Sequence, residues 1–390
     1  MKKLVFTVLT VILCNMCAIE ILAQDESTTK QGVYTEDMHL RADKDVGYGE
    51  ESSFMVWHGY LNFEFDKVFN EKSNSNFDNH EFYLSARSDL HEKLSITAEF
   101  EYEHNPEVLV LPIQAYADLK LSDMLIIRSG LFFTPMGLPR SYNLRGNQNR
   151  MIRQVSLTHD IMFENWSEVG LEFMGQFDFG LFYDIAIGNG MPGTFATGDS
   201  WFNSKTTLSD HSEDNNENKA LHSRIGYHSR DFAGGELCIA GSFGNQKYDD
   251  AEEMTMMHTG ADIRYLHSSG FRIQAEFMSR SGDELADSAG EANNTNAVAM
   301  DASGWYLQVS KRWVPQGNKF INFIEPAFQV DMIDLNIHND ANTDRMTYAL
   351  ALMYSPMRDY LIKFEYDIVQ EMSGDAVDND MIWAAIVVEF

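Results

Sequence analysis

The sequence predicts an all-β fold, a transmembrane antiparallel β-barrel of about sixteen strands with short periplasmic turns and long extracellular loops. Three observations predict it. Beyond the N-terminal segment, no apolar run reaches the roughly eighteen residues that a membrane-crossing helix needs. Yet 44% of the residues are hydrophobic and 12% aromatic, and they alternate with polar residues at the two-residue period of a strand. The connections between these alternating segments are, in turn, alternately short and long.

From the N-terminus, MKKLVFTVLTVILCNMCAIEILAQ carries Lys2 and Lys3, an apolar stretch from Leu4 to about Ala18 and a small residue at Ala23. It reads as a secretory signal peptide over 1–23, so export is expected. Asn15 and Met16 stand before Cys17 where lipid attachment would want small residues. With Cys14 and Cys17 inside the signal, Cys238 alone remains, and it reads as a packed side chain without a disulfide partner. Residues 24–53 are polar, lack heptad spacing and read as a periplasmic N-terminal segment; the barrel is expected over 54–390.

The expected strands lie near 54–65, 80–90, 93–104, 110–121, 124–134, 166–177, 179–188, 219–229, 235–244, 256–267, 270–279, 302–313, 320–333, 344–354, 359–370 and 379–390. Most are about ten residues, the length a tilted strand needs to cross a bilayer. LSITAEFEYE (94 to 103) sets Leu94, Ile96, Ala98, Phe100 and Tyr102 against Ser95, Thr97, Glu99, Glu101 and Glu103. EVGLEFMGQFD (168 to 178), DYLIKFEYDI (359 to 368) and MIWAAIVVEF (381 to 390) repeat the pattern. LHEK, LSD, DFG, SRDFAGG, SSG, PQGN and SPMRD are the tight turns. The longer connections are 66–79, 105–109, 135–165, 189–218, 245–255, 280–301, 334–343 and 371–378, which an even strand count places on the rim opposite the termini.

Lipid offers no hydrogen bonds to a free strand edge, so such a sheet must close on itself with its apolar face outward. About sixteen strands leave an aqueous interior, where about eight would be filled by side chains. Trp57, Trp166, Trp305, Trp313 and Trp383 fall near strand ends, where interfacial aromatic girdles are expected.

SGWYLQVSKRWVPQG (303 to 317), NKALHSRIGYHSR (218 to 230), FRIQAEFM (271 to 278), GLFFTPMGLPR (130 to 140) and the closing strand to Phe390 together resemble the phosphate-selective porin O and P family. The resemblance spans most of residues 50 to 390. It implies a trimeric sixteen-stranded channel in the outer membrane of a Gram-negative-type bacterium, with inward-folded loops and pore-lining arginines that draw phosphate through. The terminal Phe390 looks like the signal read by barrel insertion machinery, and lipid and lipopolysaccharide are the expected surroundings.

The formal net charge is -30, which argues against a nucleic-acid partner. Against that background LPRSYNLRGNQNRMIRQ (138 to 154) holds Arg140, Arg145, Arg150 and Arg153 without an acid, and no Asp or Glu occurs from Met124 through His159. Arg128 alternates opposite Leu125, Ile127, Leu131 and Phe133, so it should face the interior; Arg224, Arg264, Arg272 and Arg312 should extend a positive track. Folded inward, the third long loop would form a constriction whose guanidinium forks favour small anions. The interior face also carries Glu99, Glu101, Glu103, Asp118, Glu168, Glu172, Asp184, Glu236, Asp262, Glu276, Glu325, Asp331, Glu365 and Asp367. Two readings therefore stand: an anion filter, or a charge-balanced, weakly selective general diffusion or carbohydrate porin. A nonconducting surface barrel is the third class. No catalytic motif appears, so no enzyme and no cofactor are expected. The acidic stretches 208–219 and 283–294 lack an EF-hand register, and MTMMH (254 to 258) reads as packing rather than metal capture.

Overall fold

The computed structural model describes residues 55–69, 75–105, 107–139, 151–152, 161–162, 166–190, 217–247, 254–283, 301–315, 317–318, 320–335, 344–372 and 379–390. The expected signal peptide and most of the polar segment after it lie outside these residues.

Sixteen strands occur among the described residues: β1 Val56–Val68, β2 Asn76–His91, β3 Leu94–Asn105, β4 Glu107–Ser122, β5 Leu125–Phe133, β6 Ser167–Gln176, β7 Leu181–Gly188 and β8 Ala220–Phe232. The ring continues with β9 Gly235–Lys247, β10 Thr255–His267, β11 Phe271–Gly282, β12 Ala302–Lys311, β13 Phe323–Asp334, β14 Asp344–Met357, β15 Tyr360–Glu371 and β16 Met381–Glu389. Each strand pairs antiparallel with its sequence neighbours, and β1 pairs with β16 from Tyr60↔Glu389 to Val68↔Met381. The sheet is a closed barrel without an edge. Reciprocal bonds between Gly59 and Phe390, both 2.9 Å, finish the seam.

Burial in this barrel is inverted relative to a water-soluble protein. On β3, Leu94, Ile96 and Phe100 are exposed, whereas Ser95, Thr97 and Glu101 are buried. On β8, Ile225 is 50% exposed while its neighbour Arg224 is 1% exposed. An apolar outer wall and a polar inner wall are what a barrel with lipid outside requires.

One rim carries short connections except between β12 and β13, where the expected PQGN turn is corrected: β12 stops at Lys311 and β13 starts only at Phe323, so the connection is 312–322, with Trp313 and Ile324 forming an isolated bridge. Glu92 and Lys93 join β2 to β3, Asp123 and Met124 join β4 to β5, and Arg358 and Asp359 join β14 to β15. Ala233 and Gly234, at φ 49° and 78°, join β8 to β9 with the paired positive dihedrals of a tight hairpin. The opposite rim carries the longer connections, with one correction. The segment 105–109 is not a long loop, because β3 runs to Asn105 and β4 starts at Glu107, with Asn105 opposite Glu107. Ladder pairing in this hairpin continues to its tip, and only position 106 separates the two strands in sequence.

Candidate functional site

The connection expected over 135–165 leaves β5 at Phe133 and returns to β6 at Ser167. Its described residues lie against the inner wall. Gly137 N donates to Ser242 Oγ on β9 at 3.0 Å, and Leu138 N donates to Glu276 Oε1 on β11 at 3.0 Å. Met151 clusters with Ala327, Ala349 and Ala351 of β13 and β14, and Ile152 N donates to a carboxylate oxygen of Glu365 on β15. On the way back, Ile161 O accepts from Arg280 Nη1 at 3.5 Å. Ile161 and Met162 join one apolar cluster with Met278, Ala302 and Ile333.

In a ring of sixteen, the gap between β13 and β14 lies directly across from that between β5 and β6. The loop is therefore a strap across the barrel, held at both walls. Sequence dictates why it can dock. The strap brings apolar side chains, Met136, Leu138, Met151, Ile152, Ile161 and Met162, and each is almost fully buried. The wall meets them with small residues and carboxylates that accept the strap's backbone N–H groups, as a buried loop needs. Gly137 is obligatory here. Its φ is 66°, and a Cβ would run into Glu276 Oε1 and stand 2.9 Å from Met162 Cε.

Arg128 faces the interior as expected, but it is not a free cation. Its Nε and Nη2 donate to Asp118 at 2.8 and 3.0 Å, its Nη1 lies 3.3 Å from Glu172 Oε2, and its guanidinium sits 3.8 Å over the Tyr116 ring. Arg224 donates to both oxygens of Asp262 at 2.9 and 2.6 Å. Arg312 Nε donates to Glu325 Oε2 at 2.6 Å, and Arg272 Nε lies 3.9 Å from Glu325 Oε1. Arg128 and Arg224 are thus fork-to-carboxylate pairs. Arg140, Arg145, Arg150 and Arg153 lie outside the described residues, although Met151, Ile152 and Leu138 beside them are against the wall.

Of the tryptophans expected in girdles, Trp57, Trp305 and Trp313 are exposed. Trp166 and Trp383 are corrected. Trp166 is 1% exposed, donates to Glu168 Oε1 at 3.0 Å and lies between the rings of His222 and His258, 4.9 Å from each. Trp383 donates to the buried Asp367 at 3.1 Å. An indole N–H needs a partner when buried, and interior carboxylates supply it. Sequence reasoning also missed His222, which donates from Nε2 to Glu168 Oε1 at 3.0 Å. Its even position beside Arg224 on an alternating strand was the signal.

No family model matches the sequence, and no curated protein matches it either. Solved structures do match the fold. Pseudomonas putida OprB, in a high-pH structure, has a TM-score of 0.59 at 10% identity, covering 86% of this chain and 94% of its own. Salmonella typhi OmpF, in complex with daunomycin, has 0.58 at 13%, covering 86% and 97%. An anion-selective porin from Comamonas acidovorans has 0.55 at 9%, covering 86% and 99%. The chain has the closed sixteen-strand barrel fold of outer-membrane proteins of Gram-negative bacteria.

Proposed function

We propose that this chain is an outer-membrane porin through which small hydrophilic solutes, small anions among them, diffuse passively past the strap. The observation that carries the reading is the strap itself, bonded to Ser242 and Glu276 on one side and Glu365 on the other. A polar-walled barrel narrowed by a loop sorts solutes by size and charge at its narrowest section. Arg140, Arg145, Arg150 and Arg153 lie on that strap, so a permanently charged, fork-shaped donor set would meet a permeating oxyanion such as phosphate there. The resemblance to the phosphate-selective porin O and P family supports the same assignment, with a homotrimer as the working assembly. A trimer form is among the Vibrio cholerae OmpT structures that share the fold. Phe390 lies exposed at the seam, where insertion machinery would meet it.

A second reading has its own observation. The wall arginines Arg128, Arg224 and Arg312 are each held by carboxylates. Strap arginines held likewise would give a charge-balanced pore with weak selectivity. Single-channel recording under a salt gradient separates the two. The anion reading expects a reversal potential favouring chloride and a phosphate block lost in Arg145→Ala and Arg150→Ala. Cation preference unchanged by both substitutions overturns it in favour of the balanced pore, and a barrel without conductance overturns the porin reading altogether.

A further inference from the structure

Away from the strap's anchors, β10, β11 and β12 shape a small recess near the short-turn rim. Arg264 stands opposite Gln274 across the β10–β11 ladder, and Gln274 stands opposite Gln308 across β11–β12. One step nearer the rim, Arg272 stands opposite Ser310. These five side chains line the recess together with two aliphatic ones, and among the described residues no carboxylate lines it. Arg264 is 2% exposed, and Gln274, Gln308 and Ser310 are buried with it.

Arg264 and Arg272 are diagonal neighbours on adjoining strands, about 7–8 Å apart at the backbone, a span that long side chains close. Both guanidiniums stay charged at any pH the barrel meets, and like charges drawn into one sheltered recess repel unless an opposite charge joins them. The neighbouring carboxylates have partners of their own. Asp262 takes the fork of Arg224, and Glu236 lies 2.7 Å from His228 Nε2. On β13, Glu325 accepts from Arg312 Nε and Ser310 Oγ, both at 2.6 Å, and stands 3.9 Å from Arg272 Nε. That last distance gives attraction without a hydrogen bond.

Size selects what can join the two arginines. The recess offers about 10 Å³, the room one water-sized particle needs. A tetrahedral oxyanion is too large to enter whole, and a cation is repelled. A single-atom anion fits and meets guanidinium and carboxamide N–H groups, which are donors only.

We propose that the recess between Arg264 and Arg272 holds one chloride-sized anion, a resident counter-ion of the barrel wall. This site goes beyond the porin reading and does not depend on conductance.

The test is chloride NMR of the folded full chain in detergent, with chloride titrated into a gluconate background whose anion is too large for the recess. A saturable line broadening is expected, and bromide-soaked crystals should give an anomalous peak in the recess. Arg272→Gln, at a side chain one-fifth exposed, should weaken the binding about tenfold or more. Gln308→Glu brings a fixed negative charge into the recess and should abolish it. Arg145→Ala and Arg150→Ala should leave it unchanged, which separates this site from the strap. Absence of saturable broadening overturns the proposal, as does broadening indifferent to both Arg272→Gln and Gln308→Glu in barrels that remain folded. A bromide peak without a solution counterpart marks an adventitious ion only and overturns it too. Displacement of chloride by equimolar phosphate overturns the single-atom assignment.

Discussion

Arg224 and Asp262 are partners across a strand that belongs to neither. Arg224 is on β8 and Asp262 on β10, and the guanidinium reaches over β9 to make bonds of 2.9 and 2.6 Å. The reach is open because β9 turns only Cys238, Ala240, Ser242 and Gly244 toward the interior at this level. Phe182 closes the far side, its ring 5.1 Å from the guanidinium carbon.

Arg224→Ala should therefore destabilise the barrel by about 3–5 kcal/mol, because it leaves Asp262 charged and buried. Joint replacement by Arg224→Met and Asp262→Leu should recover most of that loss. Urea unfolding from lipid vesicles measures both, and equal losses in the single and double variants would contradict the pairing.

The outer wall predicts the reverse response one residue away. Ile225→Arg would direct a charge to lipid and should cost about 2–4 kcal/mol if near the bilayer midplane. Arg224, its neighbour, is native at the adjoining position because that side faces inward. Folding yield into vesicles of increasing chain length reads the penalty.

Gly137→Val should detach the first strap contact. The substitution strains a left-handed backbone by about 1–2 kcal/mol and drives side-chain atoms into Glu276 and Met162. Increased protease cleavage within residues 139 to 160, with the barrel still resisting, is the expected outcome.

Brominated lipids should quench the fluorescence of Trp57 and Trp305 but not that of Trp166, whose indole is inside the barrel. Trp57→Phe and Trp305→Phe should each lower the quenchable signal, and Trp166→Phe should leave it unchanged. Trp166→Phe should also cost about 1–2 kcal/mol by stripping Glu168 of one donor.

The strands were legible because a barrel wall separates two solvents. Every residue faces lipid or the polar interior, so the side-chain period is written directly into the residue types, as Ile225 and Arg224 illustrate. Boundaries blurred where that contrast relaxes. The β3–β4 hairpin passed for a loop because HNPE (104 to 107) and the unbroken apolar run VLVL (108 to 111) carry no alternation. Within β4 a bulge puts Pro112 opposite Phe100 and Gln114 opposite Glu99, turning Ile113 inward against the alternation. No local pattern announces an extra residue of this kind.

The site was less legible. Arg128 and Arg224 were expected on the interior face and are found there, but their partners could not be read from the sequence. Asp262 is 38 residues from Arg224 and Glu325 is 13 from Arg312, and the Arg224–Asp262 pairing over the skipped β9 depends on the small side chains between. Trp166 and Trp383 were sorted by residue type into girdles, although register puts their indoles beside Glu168 and Asp367. The strap's arginine-rich middle was visible only as composition. Its anchors, Gly137, Leu138 and Ile152, bond through backbone atoms that carry no sequence signature.

The strap also sets an order of events. Its docking groups, Ser242, Glu276, Ala327, Ala349 and Glu365, all follow it in the chain, and most come from strands near the C-terminal half of the ring. In the chain, residues 134 to 166 precede each of these docking groups. The wall can close strand by strand along neighbouring pairs, but the crossing element must wait until β15 has been delivered. A newly inserted barrel would thus pass through a wide, unstrapped stage, and its interior would narrow last.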